Sequence, residues 1–310
     1  MERTTEPITV FKYGGNALGA SEVSKNYFAI LDALKVSKPQ VIVVSAIGKT
    51  TNMLELLWKA HLTVDRKEIE EILDRIKFFS FMHLDLLSSC LVKDKVCSIL
   101  NQLKDMALSS PTTNSKKMEK DSFLIWGEMI SSWILSQFLL ENGFDNQILD
   151  AEKFMITDLN FGAANVKENE AQKAIREKLI PAILKTSVIT QGFVGRGISN
   201  TYLSSVNTPT TLGRRSSDFT AVFITKKLKD LGQEIAPVIL WRNSQGMPTK
   251  DVFGSSDDFL FELSYLDARK LCCLGPKLIH PRAIEEAEKG QIKIVIKDYD
   301  RPNLPGTIIH

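Results

Sequence analysis

Lys12-Tyr13-Gly14-Gly15 closes a β-rich run that begins at Thr9, and helix-compatible sequence follows from about Ser21. Paired glycines let the backbone turn sharply and bring its N–H groups against a ligand with no Cβ in the way. The lysine adds a mobile positive charge. That combination suits a transferring phosphate, where positioning and charge neutralisation supply most of the catalysis. Taken alone, the motif reads at least as readily as an ordinary strand-to-helix turn with a solvated lysine. Three more stretches put small residues and a charge at a strand end or a helix start: Ser45 to Thr51, Gly127-Glu128, and Gly213 to Asp218. Each has a plain structural reading too. Glu128 suits a helix dipole, Arg214-Arg215 a solvated basic turn, and Ser45 and Thr51 turn or capping positions.

The elements that must carry these residues alternate between strand and helix. Ser24 to Leu34 reads as an amphipathic helix. The β-branched run Val41-Ile42-Val43-Val44 suits a strand buried on both faces of a parallel sheet. A polar loop then feeds a helix from near Met53, and 65–108 is helical in pattern almost throughout, with Ile69, Ile72, Ile76 and Phe79 at helical spacing. The stretch 109–120 reads as a polar loop, and a helix from Gly127 through Leu140 is closed by Asn142-Gly143. Strands follow at 147–150, 187–193, 237–241 and 292–296, and helices at 171–179, around Ala221 to Ile224, and at 266–274. The stretch 200–210 reads as loop. This alternation predicts a mostly parallel sheet with helices on both faces and ligands at the carboxyl ends of the strands.

Composition narrows the function classes. The 310 residues suffice for one large α/β domain or two smaller ones. With 39 Lys+Arg against 37 Asp+Glu, nothing marks a nucleic-acid or membrane-surface binder. No uninterrupted apolar run reaches the ~20 residues of a membrane span, and the polar N-terminus does not read as a signal peptide. Cys90, Cys97, Cys272 and Cys273 lack metal-ligand spacing, as do the four histidines. Few cysteines, expected to be buried as small apolar groups, fit a reducing cytoplasm.

The order and spacing of the motifs resemble the amino acid kinase family, and within it the aspartate kinases, over essentially the whole chain. The resemblance rests on Lys-x-Gly-Gly at 12–15, Val-Val-Ser-Ala at 43–46 with Thr51-Asn52, and Thr-Thr-Leu-Gly-Arg at 210–214 with Ser217-Asp218. Glu262-Leu263-Ser264-Tyr265, and Lys277 with His280-Pro281, complete it. It implies a three-layer αβα sandwich, one catalytic domain over 1–310. About 1–200 would hold the carboxylate acceptor and about 201–310 the Mg2+-bound ATP. It further implies transfer from ATP to the β-carboxylate of L-aspartate. Lys12 would neutralise the moving γ-phosphoryl, with Gly14 and Gly15 donating to the same oxygens. Ser45, Thr51 and Ser217 would lie at the acceptor, Glu128 would meet its ammonium, and Arg214 would clamp its α-carboxylate. Asp218 would orient Lys12 or share the ammonium. Gly213, Trp241, Gly246 and Lys277 would line the nucleotide, and no protein-held metal is implied.

The chain also departs from the family pattern. Asn16-Ala17 replaces the Thr-Ser usual after the glycines, and Arg215-Ser216 replaces two glycines that positive φ or close backbone approach would require. After Trp241, the acidic, tyrosine- and arginine-bearing nucleotide segment becomes a run from Arg242 to Phe253, in which Arg242 or Lys250 would supply replacement phosphate contacts. That departure sustains an alternative: a degenerate homologue that binds an amino acid and serves a partner, or a kinase for another amino acid. No ACT regulatory domain is expected after His310, so feedback inhibition by lysine or threonine is not expected either. A homodimer through the catalytic domain stays open.

Overall fold

The computed structural model describes residues 6–19, 23–35, 39–111, 115–199, 208–242, 247–248, 259–274, 279–299 and 301–310. Gly246, Lys250 and Lys277 lie outside the described residues. In chain order the strands are β1 (Thr9–Tyr13), β2 (Gln40–Val44), β3 (Asn146–Ile148), β4 (Ile156–Thr157), β5 (Ser187–Gln191), β6 (Val194–Gly197) and β7 (Thr208–Thr211). They continue with β8 (Val238–Arg242), β9 (Met247–Pro248), β10 (Phe259–Leu260), β11 (Glu262–Leu263), β12 (Ile294–Asp298) and β13 (Thr307–Ile309). Eight of them form one sheet in the order β11-β13-β12-β8-β1-β2-β5-β3.

Every residue of β1, β2 and β5 is buried, as expected for central strands covered on both faces. All pairings in this sheet are parallel except β12 with β13. The helix Ser217–Asp230 packs on β1, β2 and β8, and the helix Pro281–Gly290 packs on that helix. The helix Trp126–Glu141 packs on β2, β3 and β5, backed by Val23–Leu34, Thr50–Thr63, Arg66–Leu84 and Cys90–Leu108. The result is the three-layer αβα sandwich. Register then brings three strand ends together, because Tyr13 pairs with Val44 on one side and with Trp241 on the other. The segments that follow, led by Gly14, Ser45 and the terminal Arg242 of β8, emerge along one edge.

Several elements depart from the expectation. The helix Lys116–Leu124 begins inside the stretch read as polar loop; Ser115 caps it by accepting from the Met118 N–H at 3.2 Å. With the following helix it makes a segment, Lys116–Glu141, long and apolar enough to span a bilayer by composition. It lies instead in the core, with 72% of its most apolar window buried. Strand β7 comes out of the 200–210 stretch and pairs with β6 in a separate three-stranded sheet with β4. The helix predicted over 171–179 starts at Glu168 and turns π-helical over Ile175–Leu179. Cys90 is exposed rather than buried, while Cys272 is in the core.

Candidate active site

Lys12 is the penultimate residue of β1, and its side chain is only 5% exposed. Its Nζ lies 3.1 Å from Oδ1 of Asp218, in the first turn of the helix Ser217–Asp230, where the dipole favours a carboxylate. Nη2 of Arg242 binds the other oxygen, Oδ2, which also accepts from the His280 backbone N–H at 3.3 Å. Burial pushes the Asp218 carboxyl up, but Arg242 and Lys12 together outweigh it and hold it below the usual carboxylate range. Lys12 goes the other way. Burial, then the Arg242 charge, lower it to about 8, against the pull of Asp218 and Glu128.

The end of β2 supplies the facing wall. The Ser45 hydroxyl donates to Ser217 Oγ at 3.0 Å, joining residues from the two halves of the chain. Ser131 Oγ donates to the Ser45 carbonyl at 2.8 Å. Gly15 is required here by close approach: a Cβ on it would stand 2.6 Å from the Ala46 carbonyl oxygen and 2.9 Å from that of Gly48. The short helix Gly15–Gly19 that follows is tied down by buried His83, whose ring nitrogens contact the Leu18 and Phe79 carbonyls at 2.9 and 2.8 Å.

Glu128 lies in the first turn of the helix Trp126–Glu141 and is buried, its Oε2 without a hydrogen-bond partner among the described residues. Burial raises its carboxyl to about 8, against backbone hydrogen bonds at Ala46 and Glu128 itself and the charges of Arg214 and Lys12. Arg214 is half exposed and engaged on both arms, by Glu55 Oε2 at 3.2 Å and by Asn52 Oδ1. Lys120 pairs with the other Glu55 oxygen, Oε1. Thr51 is partly buried in the first turn of the same helix as Asn52 and Glu55.

The loop carrying Arg214 is fixed from below by Asp121. That buried carboxylate accepts from the Thr211 N–H (2.9 Å), the Thr211 hydroxyl (2.7 Å) and the Gly162 N–H (2.9 Å). Gly213 takes φ +93°, and Arg215 takes φ +66°. The left-handed backbone foreseen where glycine was replaced is therefore present at Arg215, at a cost of about 1–2 kcal/mol for an L-residue. Ser216 has φ −77° and carries no such strain.

Lys12, Gly14, Gly15, Ser45, Glu128, Arg214, Ser217 and Asp218 thus gather at the carboxyl ends of β1, β2 and β8. Trp241 is at the same strand end, but its ring is buried against Tyr13, the rings stacked with centroids 6.1 Å apart. His280 is structural, its Nδ1 capping the helix Pro281–Gly290 by accepting from the Arg282 N–H at 3.2 Å. Among the described residues no group of three or more His, Cys, Asp or Glu side chains could hold a metal ion.

Comparison with known proteins places the fold in a family. The model of the amino acid kinase family matches residues 7–298. This chain belongs to that family. It is 25% identical over 304 residues to lysine-sensitive aspartokinase 3 of Escherichia coli, covering 97% of this chain and 64% of that protein. It is 27% identical over 314 residues to the chloroplastic aspartokinase 2 of Arabidopsis thaliana, covering 98% and 54%. The chain therefore spans less than two thirds of the length of these relatives. The structure of E. coli aspartokinase III in complex with aspartate and ADP superposes with a TM-score of 0.85 at 25% identity, over 97% of this chain and 64% of that one. Aspartate kinase of Clostridium acetobutylicum, at 20% identity and a TM-score of 0.73, shares the fold.

Within this family fold, sequence reasoning missed Glu55, Lys120 and Asp121, which set Arg214 and its loop. Lys120-Asp121 falls at the end of a stretch read as loop or just beyond it, and Glu55 on an unremarkable helix. Their signal is three-dimensional only.

Proposed function

We propose that this chain phosphorylates the β-carboxylate of L-aspartate with Mg-ATP, giving aspartyl phosphate and ADP. The observation that carries the reading is the buried Lys12–Asp218 pair at the meeting strand ends, with Glu128 and Arg214 close by. Likeness to the aspartokinases supports the choice of acceptor.

A β-carboxylate is already ionised near neutral pH, so the attack needs no general base. One carboxylate oxygen forms a bond to the γ-phosphorus while the bond from that phosphorus to the β,γ-bridging oxygen breaks, and ADP leaves with the electron pair. The protein's task is to bring two anions together and spread the charge of the transferring group. Lys12 does this from buried surroundings, where a charge acts through little intervening water. Arg214 holds the α-carboxylate with its forked donors, and Glu128, once ionised, receives the ammonium. Ser45, Thr51 and Ser217 line the acceptor side, and Gly14, Gly15 and Gly213 offer backbone to the phosphates. The acceptor half is about 1–200 and the nucleotide half about 201–310. Mg2+ enters as part of the nucleotide substrate, bound through its phosphates. Both Asp218 oxygens already serve cations, so this carboxylate does not fit as a ligand for the ion. The free thiols Cys90 and Cys97 support a reducing, cytoplasmic setting.

Trapping the acyl phosphate with hydroxylamine tests the reading. Hydroxamate that requires both aspartate and ATP is expected. None above background, with aspartate still binding in a calorimeter and ATP not binding at millimolar concentration, would replace the kinase by an amino-acid-binding partner subunit.

A further inference from the structure

The roles above leave Arg242 without work in the reaction. It ends β8 with its side chain 22% exposed at the edge where the strand ends meet. Asp218 gives one oxygen to Arg242 and the other to Lys12, so among the described residues one carboxylate answers two cations. Glu128 does not restore the balance, because burial keeps its proton on up to about pH 8. The excess is felt: Arg242 is among the causes that depress Lys12. The buried Arg242 Nε donor also has no hydrogen-bond partner among the described residues.

Both cations border the same space. A Cβ built on Gly14 would lie 3.3 Å from Lys12 Nζ and 3.8 Å from Arg242 Nη1, with the Trp241 carbonyl oxygen next at 4.0 Å. The missing side chain leaves a position flanked by two cationic groups. A tetrahedral anion with several oxygens suits it, since it would offset the positive charge and take up the guanidinium's Nε donor.

We infer that Arg242 is a second cationic ligand of the transferred phosphoryl group, sharing it with Lys12 above Gly14 while Asp218 holds both cations in place. The reaction named here rests on the kinase reading proposed above; the anion site does not.

The test measures Arg242→Met and Arg242→Lys in two assays, with thermal melting to confirm that each variant folds. Calorimetry with tripolyphosphate reads the anion site directly. Arg242→Met should weaken its binding at least about thirtyfold, and Arg242→Lys, which keeps the charge without the fork, should fall between. In the hydroxamate assay Arg242→Met should lower kcat about 10²–10³-fold and change the aspartate KM less than threefold. Unchanged tripolyphosphate affinity, or a kcat within threefold of the parent, overturns the assignment while leaving the kinase reading intact. Should the parent chain make no hydroxamate but bind tripolyphosphate through Arg242, the kinase reading falls and the anion site stands. If Arg242→Met does not fold, Arg242→Lys decides: parental values in both assays overturn the assignment.

Discussion

Replacing Glu128 by glutamine should change how the reaction responds to pH. Burial raises this carboxyl from 4.5 to about 8, so at pH 6 only about one free molecule in a hundred carries the carboxylate. If the ionised form receives the acceptor's ammonium, kcat/KM for aspartate should climb about tenfold per pH unit from 6 towards 7.5. Lys12 loses its proton from about pH 8 upward, so the profile should turn over there. Glu128→Gln keeps the shape of the side chain and removes its titration. The acid limb should disappear. At pH 8 the variant should lose the charge-assisted contact, about 1.5–3 kcal/mol, or roughly 10–150-fold in kcat/KM. Initial rates of hydroxamate formation from pH 5.5 to 9 read both effects. A variant that keeps the parental acid limb would refute the reasoning. Stability provides a second check of the same shift. The folded carboxyl keeps its proton to about pH 8 while the unfolded one releases it near 4.5, so the folded state binds more protons in between. Its contribution to stability is therefore present below about 4.5 and is lost as pH rises to 8. Urea midpoints should show a shallower decline over that window in Glu128→Gln; an identical slope would count against the shift.

Lys12→Met should lower kcat about 10²–10³-fold and leave the aspartate KM within threefold, since its charge matters most during transfer; a proportionate rise in KM would move Lys12 to ground-state binding. Arg214→Lys should raise the aspartate KM about tenfold with little change in kcat, because an ammonium lacks the bidentate fork; an unchanged KM removes Arg214 from the acceptor. Arg215→Gly should be more stable than Arg215→Ala by about 1 kcal/mol, because alanine keeps the Cβ that disfavours the left-handed backbone. Equal urea midpoints for the two variants would show that the positive φ carries no strain.

What could be read in the chain was what local chemistry determines. A β-branched run announced β2, and paired glycines announced the turn after β1, because burial on both faces and close approach each restrict the residues allowed. The left-handed Arg215 was foreseeable from the loss of a glycine, since φ > 0 is a property of one residue. The helix Lys116–Leu124 was not, being short and mostly polar, with its apolar contacts supplied by distant elements. The Asp121 clasp on Thr211 spans ninety residues, and the Arg214–Glu55 pair spans 159. Neither leaves a periodic trace, because only the fold decides which polar side chains meet. Arg242 stands out in the sequence as a cation in an altered segment; that it shares Asp218 with Lys12 follows only from the β1–β8 register.

That register also explains why the site has this electrical character. Parallel strands ending level with one another present their following turns at a single edge, so residues about two hundred positions apart can share one carboxylate. Asp218 sits in the first turn of a buried helix, where burial alone would favour its neutral form; two cations keep it charged instead. Breaking that arrangement from one side leaves a buried charge unmatched, which is far costlier than losing a surface pair. The contrast with Arg214 follows. Its contacts with Glu55 and Asn52 are exposed and worth little, so an incoming carboxylate can displace them readily. The Lys12–Asp218–Arg242 triad is built to stay, and the exposed arginine is built to exchange partners, which is the division of labour that the proposed transfer between two bound anions would require.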